Sequence, residues 1–172
     1  MGRKVLRFLA SVGAFPARII AMDALDREIL SLLQDDGRMS ATNLASQVGL
    51  SLSACHRRLK ELEQSGAIER YRAVVAPKAV GLTFEAIVFV TIGRTDKDTI
   101  VAFEEAVVAI PAVAEAQRLF GDPDYMLRIL TRDMSAYQEL YDSTLGALPG
   151  VQRLTSTMVM KRLGADRAVP IP

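Results

Sequence analysis

The sequence has one cysteine, one histidine and no tryptophan among its 172 residues. A single cysteine cannot form an internal disulfide, and one histidine with one cysteine excludes Cys/His-rich zinc sites and most paired catalytic machinery. No apolar run approaches the roughly 18 residues of a membrane span. Half of the residues are apolar and 24% are charged, which is typical of globular proteins. We therefore expect a soluble, cytoplasmic protein with no metal, no cofactor and no membrane partner.

The net charge is only +1, but it is unevenly distributed. Residues 1–21 hold four cations and no acid, whereas the remainder holds 17 cations and 20 anions. Bulk positive charge therefore gives no reason to expect nucleic-acid binding, and any such function has to depend on local geometry.

Residues 1–21 are basic and apolar, yet two arginines, a glycine and a proline interrupt the apolar stretch, so no h-region of a signal peptide remains. Met22 is followed at once by a predicted helix with Asp23 as its N-cap. We expect the functional chain to start at Met22 and residues 1–21 to be an extension outside the fold. A basic arm that touches DNA or lipid is the alternative.

Residues 22–76 show helical periodicity followed by a short β-rich segment, Ile68–Val75. Three short helices are expected, the first ending near Asp36, the second capped by Ser40, and the third capped by Ser51 and ending near Gly66. Short helices joined by tight turns are typical of a helix-turn-helix DNA-binding domain. Residues 77–83, which contain a proline and a glycine, predict a hinge.

Residues 84–163 predict the order βαββαβ, a ferredoxin-like split βαβ sandwich, and residues 164–172 a C-terminal tail. The chain as a whole is therefore expected to be α+β. The expected strands are Glu85–Gly93, Ala112–Gly121, Asp124–Leu130 and Val151–Leu163, and the expected helices are Asp96–Ile110 and Asp133–Leu148.

The first of these strands is apolar on both faces, with Ile87 and Phe89 on one and Ala86, Val88, Val90 and Ile92 on the other. Two helices can cover only one face of a four-stranded sheet. The other face is most simply buried against the same sheet of a second copy, which predicts a homodimer. The alternative is that the strand ends are misplaced and part of the run is loop.

The third helix separates two kinds of side chain on a helical wheel. Its inward stripe consists of Leu52, Cys55, Leu59 and Leu62, and its opposite side of Ser53, Arg57, Lys60 and Gln64, with His56 at the flank. Arg57 can fork to guanine O6 and N7, while Lys60 and Ser53 can reach phosphates or base edges. A solvated amphipathic helix with no special role is the alternative. Cys55 is expected to be a small buried hydrophobe.

Several motifs, in this order and spacing, resemble the Lrp/AsnC (feast/famine) family of bacterial and archaeal transcription regulators. They are LDREILSLLQDDGRMSATNLASQVGLS, CHRRLKELEQSGAI, GDPDYMLRI, DMSAY and LPGV. The resemblance runs from Asp23 to Leu163 and departs at Leu52, where many relatives carry proline. It implies a winged helix-turn-helix, a hinge and a RAM-type effector domain. It also implies dimers formed through the sandwich sheets, and commonly tetramers, octamers or hexadecamers assembled from those dimers. The residues expected to contact DNA are Ser40, Thr42, Ser51, Ser53, His56, Arg57 and Lys60.

The resemblance also implies a small-molecule effector, an amino acid or a related metabolite, bound between dimers. Carried onto this chain, the effector-binding residues are Arg118, Gly121, Asp122, Asp124, Met134, Thr157, Met158 and Val159. Carboxylates in the turn can accept from an ammonium while backbone amides face a carboxylate. The alternative is that GDPD is simply a tight turn between two strands. Arg118 replaces an often apolar position, which hints at an acidic or polar effector.

The function that these observations favour is a sequence-specific transcriptional regulator that binds double-stranded DNA at a palindromic operator. A metabolite-binding module that acts only through protein contacts is one alternative. The other is a small enzyme using Glu115, Asp122 and Asp124 as acid–base groups. No nucleophile–base pair, phosphate loop or metal cluster accompanies these carboxylates in the sequence, so we expect no enzymatic activity.

Overall fold

The computed structural model describes residues 22–163 and 168–172. The prediction for residues 1–21 lies outside the described residues. The described residues fall into two compact units. The helical unit is the described part of Ala14–Val74 and of Leu163–Pro172, and the sandwich unit is Val75–Arg162. No helix within the described ranges is long and apolar enough to cross a membrane.

The helical unit contains α1 (Ala24–Asp35), α2 (Ala41–Gln47) and α3 (Leu52–Gln64). Each helix begins where a capping side chain accepts from a first-turn amide: Asp23 for α1, Ser40 for α2 and Ser51 for α3. Such caps satisfy amide donors that have no partner within the helix. The three predicted helix starts are confirmed.

The core of the helical unit lies between the three helices and includes Ile29, Leu44, Val48, Cys55 and Leu62. Cys55 is fully buried, as expected, and burial raises the pKa of its thiol. Leu52 departs from the predicted inward stripe, since its side chain is 46% exposed. It is the first residue of α3, one turn beyond the buried part of the stripe.

The β-rich expectation for Ile68–Val75 is wrong, because that segment contains no strand. The described part of the helical unit offers no strand for it to pair with, and β-propensity is realised only where a neighbouring strand and a packing surface exist.

The sandwich unit begins with a 3-10 turn, Pro77–Val80, that ends at Gly81. The order βαββαβ follows, as predicted. Its elements are β1 (Phe84–Ile92), α4 (Lys97–Val108), β2 (Val113–Arg118), β3 (Tyr125–Thr131), α5 (Met134–Ser143), a 3-10 turn (Leu145–Ala147) and β4 (Val151–Met158).

The four strands form one antiparallel sheet in the order β2-β3-β1-β4. Val88, opposite Leu127 on β3 and Ser156 on β4, fixes the register of the central strand. One face packs against the helices through Phe103 of α4 and Tyr137 of α5.

The expected strand and helix ends were too long at three places. β2 ends at Arg118 and not Gly121, α5 ends at Ser143, and β4 ends at Met158 and not Leu163. β4 stops because its neighbour β1 begins at Phe84, and the last backbone bond joins the Val159 amide to the Glu85 carbonyl at 3.0 Å.

The opposite face of the sheet is apolar at its centre. Ile87 and Phe89 of β1 and Met126 of β3 are half-buried in the single chain, whereas Val88 and Val90 are fully buried beneath the helices. The predicted division of β1 into two apolar faces is therefore confirmed. The apolar residues of the face that the helices leave uncovered, which we call the open sheet face, are Ile87, Phe89, Met126 and Leu130. The same face carries the ion pair between Arg128 and Glu85, with 2.8 Å between Nε and Oε1.

Candidate DNA interface and effector site

One side of α3 presents a row of exposed polar side chains, Ser53, His56, Arg57 and Lys60. We call this row the polar face of α3. The buried Cys55 and Leu62 lie on the opposite side, in the core of the helical unit. Because the core fixes the rotation of the helix, the polar face is held outward. This arrangement matches the sequence expectation for these four residues.

Arg57 forms an ion pair with Glu61 one turn later, with 2.9 Å between Nη1 and Oε1. The two side chains are 64% and 58% exposed. Exposed pairs at this spacing contribute only about 0.3–0.5 kcal/mol. The Arg57 guanidinium can therefore leave Glu61 for a stronger acceptor at little cost.

Ser40 and Ser51 each use the side-chain oxygen to cap a helix, accepting from the amides of Asn43 at 3.2 Å and Ala54 at 3.3 Å. Both residues are exposed, and a hydroxyl that accepts can still donate its own hydrogen. Thr42, in the first turn of α2, is also exposed. The predicted serine and threonine contacts thus lie at the N-termini of α2 and α3, where the backbone dipole favours anions.

Arg58, which sequence reasoning did not select, joins α3 to α1. Its Nη1 lies 2.7 Å from Asp26 Oδ1 and 2.8 Å from Asp23 Oδ2. The hydrogen bonds that its guanidinium donates to Asp26 and Asp23 raise the pKa of Arg58 further above its ordinary value. The pKa of Asp23 is lowered, first by the backbone amide of Asp26 and also by Arg58. Because 32 positions separate Arg58 from Asp26, no local pattern could have shown this bridge.

The predicted effector turn between β2 and β3 contains Gly121, with φ of 137°, and a cis peptide bond between Asp122 and Pro123. Asp124 takes part in the sheet, because its Oδ2 accepts from the Ile92 amide at 2.7 Å and its own amide donates to the Val90 carbonyl. Asp124 provides one of the two carboxylates that were expected to accept from the ammonium of an effector. One oxygen of this carboxylate already accepts from a backbone amide.

Asp122 is exposed and is contacted by two side chains that the sequence reasoning missed. Its Oδ1 accepts from Arg153 of β4 at 3.0 Å and from Thr91 of β1 at 3.2 Å. Phe120, beside this turn, is fully exposed, which is unusual for a large aromatic side chain. The turn therefore combines an anion, a cation and an unpacked ring at one end of the sheet.

Arg118 lies at the end of β2, with its Nη1 3.6 Å from Glu104 Oε1 of α4. Glu104 also accepts from the Tyr125 hydroxyl at 2.9 Å. Burial and this hydrogen bond raise the pKa of Tyr125 to about 12. Arg118 is 58% exposed, so it can turn toward a ligand beside the same end of the sheet.

The remaining predicted effector residues lie at the other end of the sheet. Met134 begins α5, Thr157 and Met158 end β4, and Val159 follows that strand; all but the half-buried Val159 are exposed. The distance between the two groups can be measured along β1. Asp124 accepts a hydrogen bond from the amide of Ile92, whereas Thr157 is paired with Ile87, five positions earlier on the same strand. At ~3.3 Å per residue this is a separation of roughly 16 Å. One chain therefore does not bring the two groups together.

Comparison with known proteins gives independent information on both units. A family model described as "Winged helix-turn-helix DNA-binding" matches residues 22–69, and one described as "Lrp/AsnC ligand binding domain" matches residues 85–169. The Bkd operon transcriptional regulator of Pseudomonas aeruginosa is 35% identical over 87% of this chain and 98% of its own length. The leucine-responsive regulatory protein of Escherichia coli is 37% identical over 83% of this chain and 87% of its own.

A solved structure agrees in fold over nearly the same length. A transcriptional regulator from Neisseria meningitidis, determined as a complex with L-Met, has a TM-score of 0.82 and 35% identity over 87% of this chain and 97% of its own. The helical unit is therefore a DNA-binding helix-turn-helix, and the sandwich unit is a ligand-binding domain.

These features together define a DNA-binding transcriptional regulator with a ligand-binding domain, and not an enzyme. The chain belongs to the Lrp/AsnC family. The resemblance drawn from the sequence motifs, the α+β fold class and the expected regulatory function are thereby confirmed.

Proposed function

We propose that the polar face of α3 enters the major groove of an operator and that Arg57 and Lys60 provide its principal contacts. The observation that best supports this proposal is that all four residues of the polar face of α3 are exposed, on the side of the helix opposite the buried Cys55. Arg57 forks to a guanine, and Lys60 and Ser53 bind phosphates or base edges. Ser40, Thr42 and Ser51, at two helix N-termini, bind phosphates and set the position of α3 on the duplex.

The regulator acts as a homodimer that buries the open sheet face. This face places Ile87, Phe89 and Met126 at the surface of a single chain. In a dimer with two-fold symmetry, the same apolar face of a second copy would cover these residues. Two copies of α3 in one dimer then read two half-sites about one helical turn apart, on a palindromic operator. Further association of dimers gives tetramers or octamers, all within the cytoplasm.

The effector is an amino acid or a related metabolite, bound where two dimers meet. The separation of the two groups of predicted residues supports this arrangement, because residues roughly 16 Å apart in one chain can be neighbours across two. Arg118, Gly121, Asp122 and Asp124 come from one chain, and Met134, Thr157, Met158 and Val159 from another. The complex of the Neisseria meningitidis relative with L-Met is consistent with an amino-acid ligand.

Ligand binding alters DNA binding by favouring one assembly over another. A ligand shifts such an equilibrium only through its different affinity for the two states. Residues 22–76 form the reading domain, residues 77–83 the hinge and residues 84–163 the domain that senses the effector. Gly81, with φ of 79°, and the single 3-10 turn before it give this hinge a short, defined bend.

A titration of operator DNA tests the α3 assignment. The Arg57→Ala, Lys60→Ala double variant is expected to lose sequence-specific binding, while its mass in solution is unchanged. The matched control is the Arg94→Ala, Lys97→Ala double variant, which removes the same charge from exposed positions of the sandwich unit. Unchanged operator affinity of the α3 variant would contradict the assignment.

The effector proposal is tested by measuring unfolding temperature and mass in the presence of each of the twenty amino acids. At least one is expected to raise the unfolding temperature and to change the distribution of assemblies. The Asp122→Ala variant should lose this response, whereas Asp142→Ala, an exposed position on α5, should retain it. An unaltered response in Asp122→Ala would contradict the proposed site.

A further inference from the structure

Arg153, on β4, lies beside the turn between β2 and β3. The strand register pairs it with Thr91 of β1, so the two side chains lie on the same face of the sheet. Asp122 of the turn meets them there, and its Oδ1 accepts from the Thr91 hydroxyl at 3.2 Å. Two strands and one turn therefore bring an arginine, a threonine and an aspartate together within the sandwich unit.

Arg153 binds this cluster through a single guanidinium nitrogen. Its Nη2 lies 3.0 Å from Asp122 Oδ1, 3.2 Å from Asp122 Oδ2 and 3.3 Å from the Thr91 hydroxyl oxygen. One nitrogen cannot point a hydrogen straight at each of three acceptors. Among the described residues, neither Nε nor Nη1 of Arg153 has a hydrogen-bond acceptor. The two-nitrogen fork with which an arginine binds a carboxylate is therefore not used here.

The ion pair between Asp122 and Arg153 is open to solvent. The two side chains are 70% and 60% exposed, respectively. Exposed ion pairs contribute little to stability, because water screens the charges and two side chains lose conformational freedom when they pair. Either group can therefore exchange its present partner for another at little cost.

We propose that the Asp122–Arg153 pair is the receptor for the two charged groups of a free α-amino acid. The pair opens when the ligand enters, so that Asp122 accepts from the ligand ammonium and the fork of Arg153 donates to the ligand carboxylate. Each of the four charges then keeps an opposite charge beside it, and the Thr91 hydroxyl continues to donate to Asp122. This inference rests on the proposed effector role of the turn, and it adds the residue that binds the carboxylate.

Such a receptor selects ligands that carry both charges. A ligand without a carboxylate has to displace Arg153 from Asp122 and offers Arg153 nothing in return, and a ligand without an ammonium leaves Asp122 without a cation. The other charged groups at this end of the sheet are already engaged. Asp124 Oδ2 accepts from the Ile92 amide at 2.7 Å, and Arg118 lies 3.6 Å from Glu104. We therefore expect the effector to be an intact zwitterion.

Thermal unfolding of the full chain with a panel of ligands tests this selectivity. The probes are the twenty free L-amino acids, with the methyl ester of each, which lacks the carboxylate, and the N-acetyl derivative of each, which lacks the ammonium. At least one free amino acid should raise the unfolding temperature, and its two derivatives should not. Equal stabilisation by either derivative would overturn the inference. No response to any free amino acid would contradict the proposed effector role as well.

Two substitutions assign the two ends of the ligand. For the amino acid with the largest response, Arg153→Met should weaken binding by roughly tenfold to hundredfold, as measured by calorimetry. The same variant should bind the methyl ester at least as tightly as the unaltered chain does, because the ester has no carboxylate and Asp122 is released from its ion pair. Asp122→Asn should weaken binding of the free amino acid and leave binding of the N-acetyl derivative undiminished.

The matched control is Arg94→Met, which removes an arginine that is 86% exposed and 3.8 Å from Asp96 in the same unit, and which should leave binding unchanged. Arg153→Lys keeps the charge without the fork, so its affinity should lie between those of the unaltered chain and Arg153→Met. Unchanged affinity of Arg153→Met for the free amino acid would overturn the inference. Equal losses for the free amino acid and its ester would show that Arg153 only holds the turn in place, and would overturn it too.

Discussion

Arg58 on α3 and Asp26 on α1 form an ion pair of 2.7 Å, with side chains that are only 19% and 15% exposed. Arg57, the preceding residue, is 64% exposed and, among the described residues, pairs only with Glu61 of its own helix. Two adjacent arginines therefore have different roles. Arg58 holds α3 against α1, and Arg57 is presented to the solvent by the helix that Arg58 has positioned.

Replacing Arg58 with methionine should destabilise the helical unit, because the Asp26 carboxylate, only 15% exposed, loses its cationic partner. We expect faster hydrogen exchange at the α1 amides and a lower unfolding temperature. The control is Arg57→Met, which breaks only the exposed pair with Glu61 and should change exchange little. Equal effects of the two substitutions would contradict the structural role of Arg58.

The lowered pKa of Asp23 predicts acid sensitivity of the helical unit. Since its pKa is lower in the folded than in the unfolded chain, the ionised carboxylate stabilises the fold above its ordinary value of 3.8, and that stability is lost as the pH falls through the folded pKa. Asp23→Asn keeps a capping side chain that cannot ionise. Exchange of the α1 amides should depend less on pH in this variant, between about pH 2 and about pH 6. Asp35→Asn, at an exposed position on the same helix, should retain the full pH dependence.

Glu61→Gln should strengthen operator binding by about twofold to fivefold. On the proposed docking of α3, the substitution removes a carboxylate from the side that approaches phosphates, and it releases Arg57 from its ion pair. Fluorescence anisotropy with a labelled operator measures the change. Glu139→Gln, which removes the same charge from exposed α5, is the matched control. Unchanged or weaker binding of Glu61→Gln would show that the Arg57–Glu61 pair has no influence on the interface.

Phe89→Asp should dissociate the proposed dimer, because the substitution would place a charge without a partner in the apolar interface that we propose. Light scattering coupled to size exclusion is expected to show a monomer with native far-ultraviolet circular dichroism. Val101→Asp introduces the same charge at an exposed apolar position on α4 and should leave the dimer intact. A Phe89→Asp chain that keeps the mass of the unaltered protein would contradict assembly through the open sheet face.

Local chemistry determines most of what the sequence could predict. Asp23, Ser40 and Ser51 cap three helices at the predicted positions because a cap requires only a side chain and an amide three residues later. The alternation in β1 likewise indicated which residues lie beneath the helices and which on the open face. Because these signals lie within a few consecutive residues, they can be recognised without knowledge of the tertiary fold.

Features that depend on distant residues could not be predicted. Arg58 meets Asp26 across 32 positions, and Gln34 meets Val169 across 135. The separation of the two groups of predicted effector-binding residues follows from strand register, which depends on the pairing of β1 with β3 and β4. Ile68–Val75 was predicted wrongly for a related reason. Its residues favour a β-strand locally, but the described part of the helical unit contains no strand with which the segment could pair.

The most direct test of the central claim is methylation of guanine N7 in a bound operator, because N7 is the major-groove atom that an arginine fork covers. At saturating protein, the unaltered chain should protect guanines in two major-groove segments about one helical turn apart. Arg57→Ala should lose protection of one guanine in each segment, and Lys60→Ala should keep both. Protection that is identical in the unaltered chain and in Arg57→Ala would contradict the account.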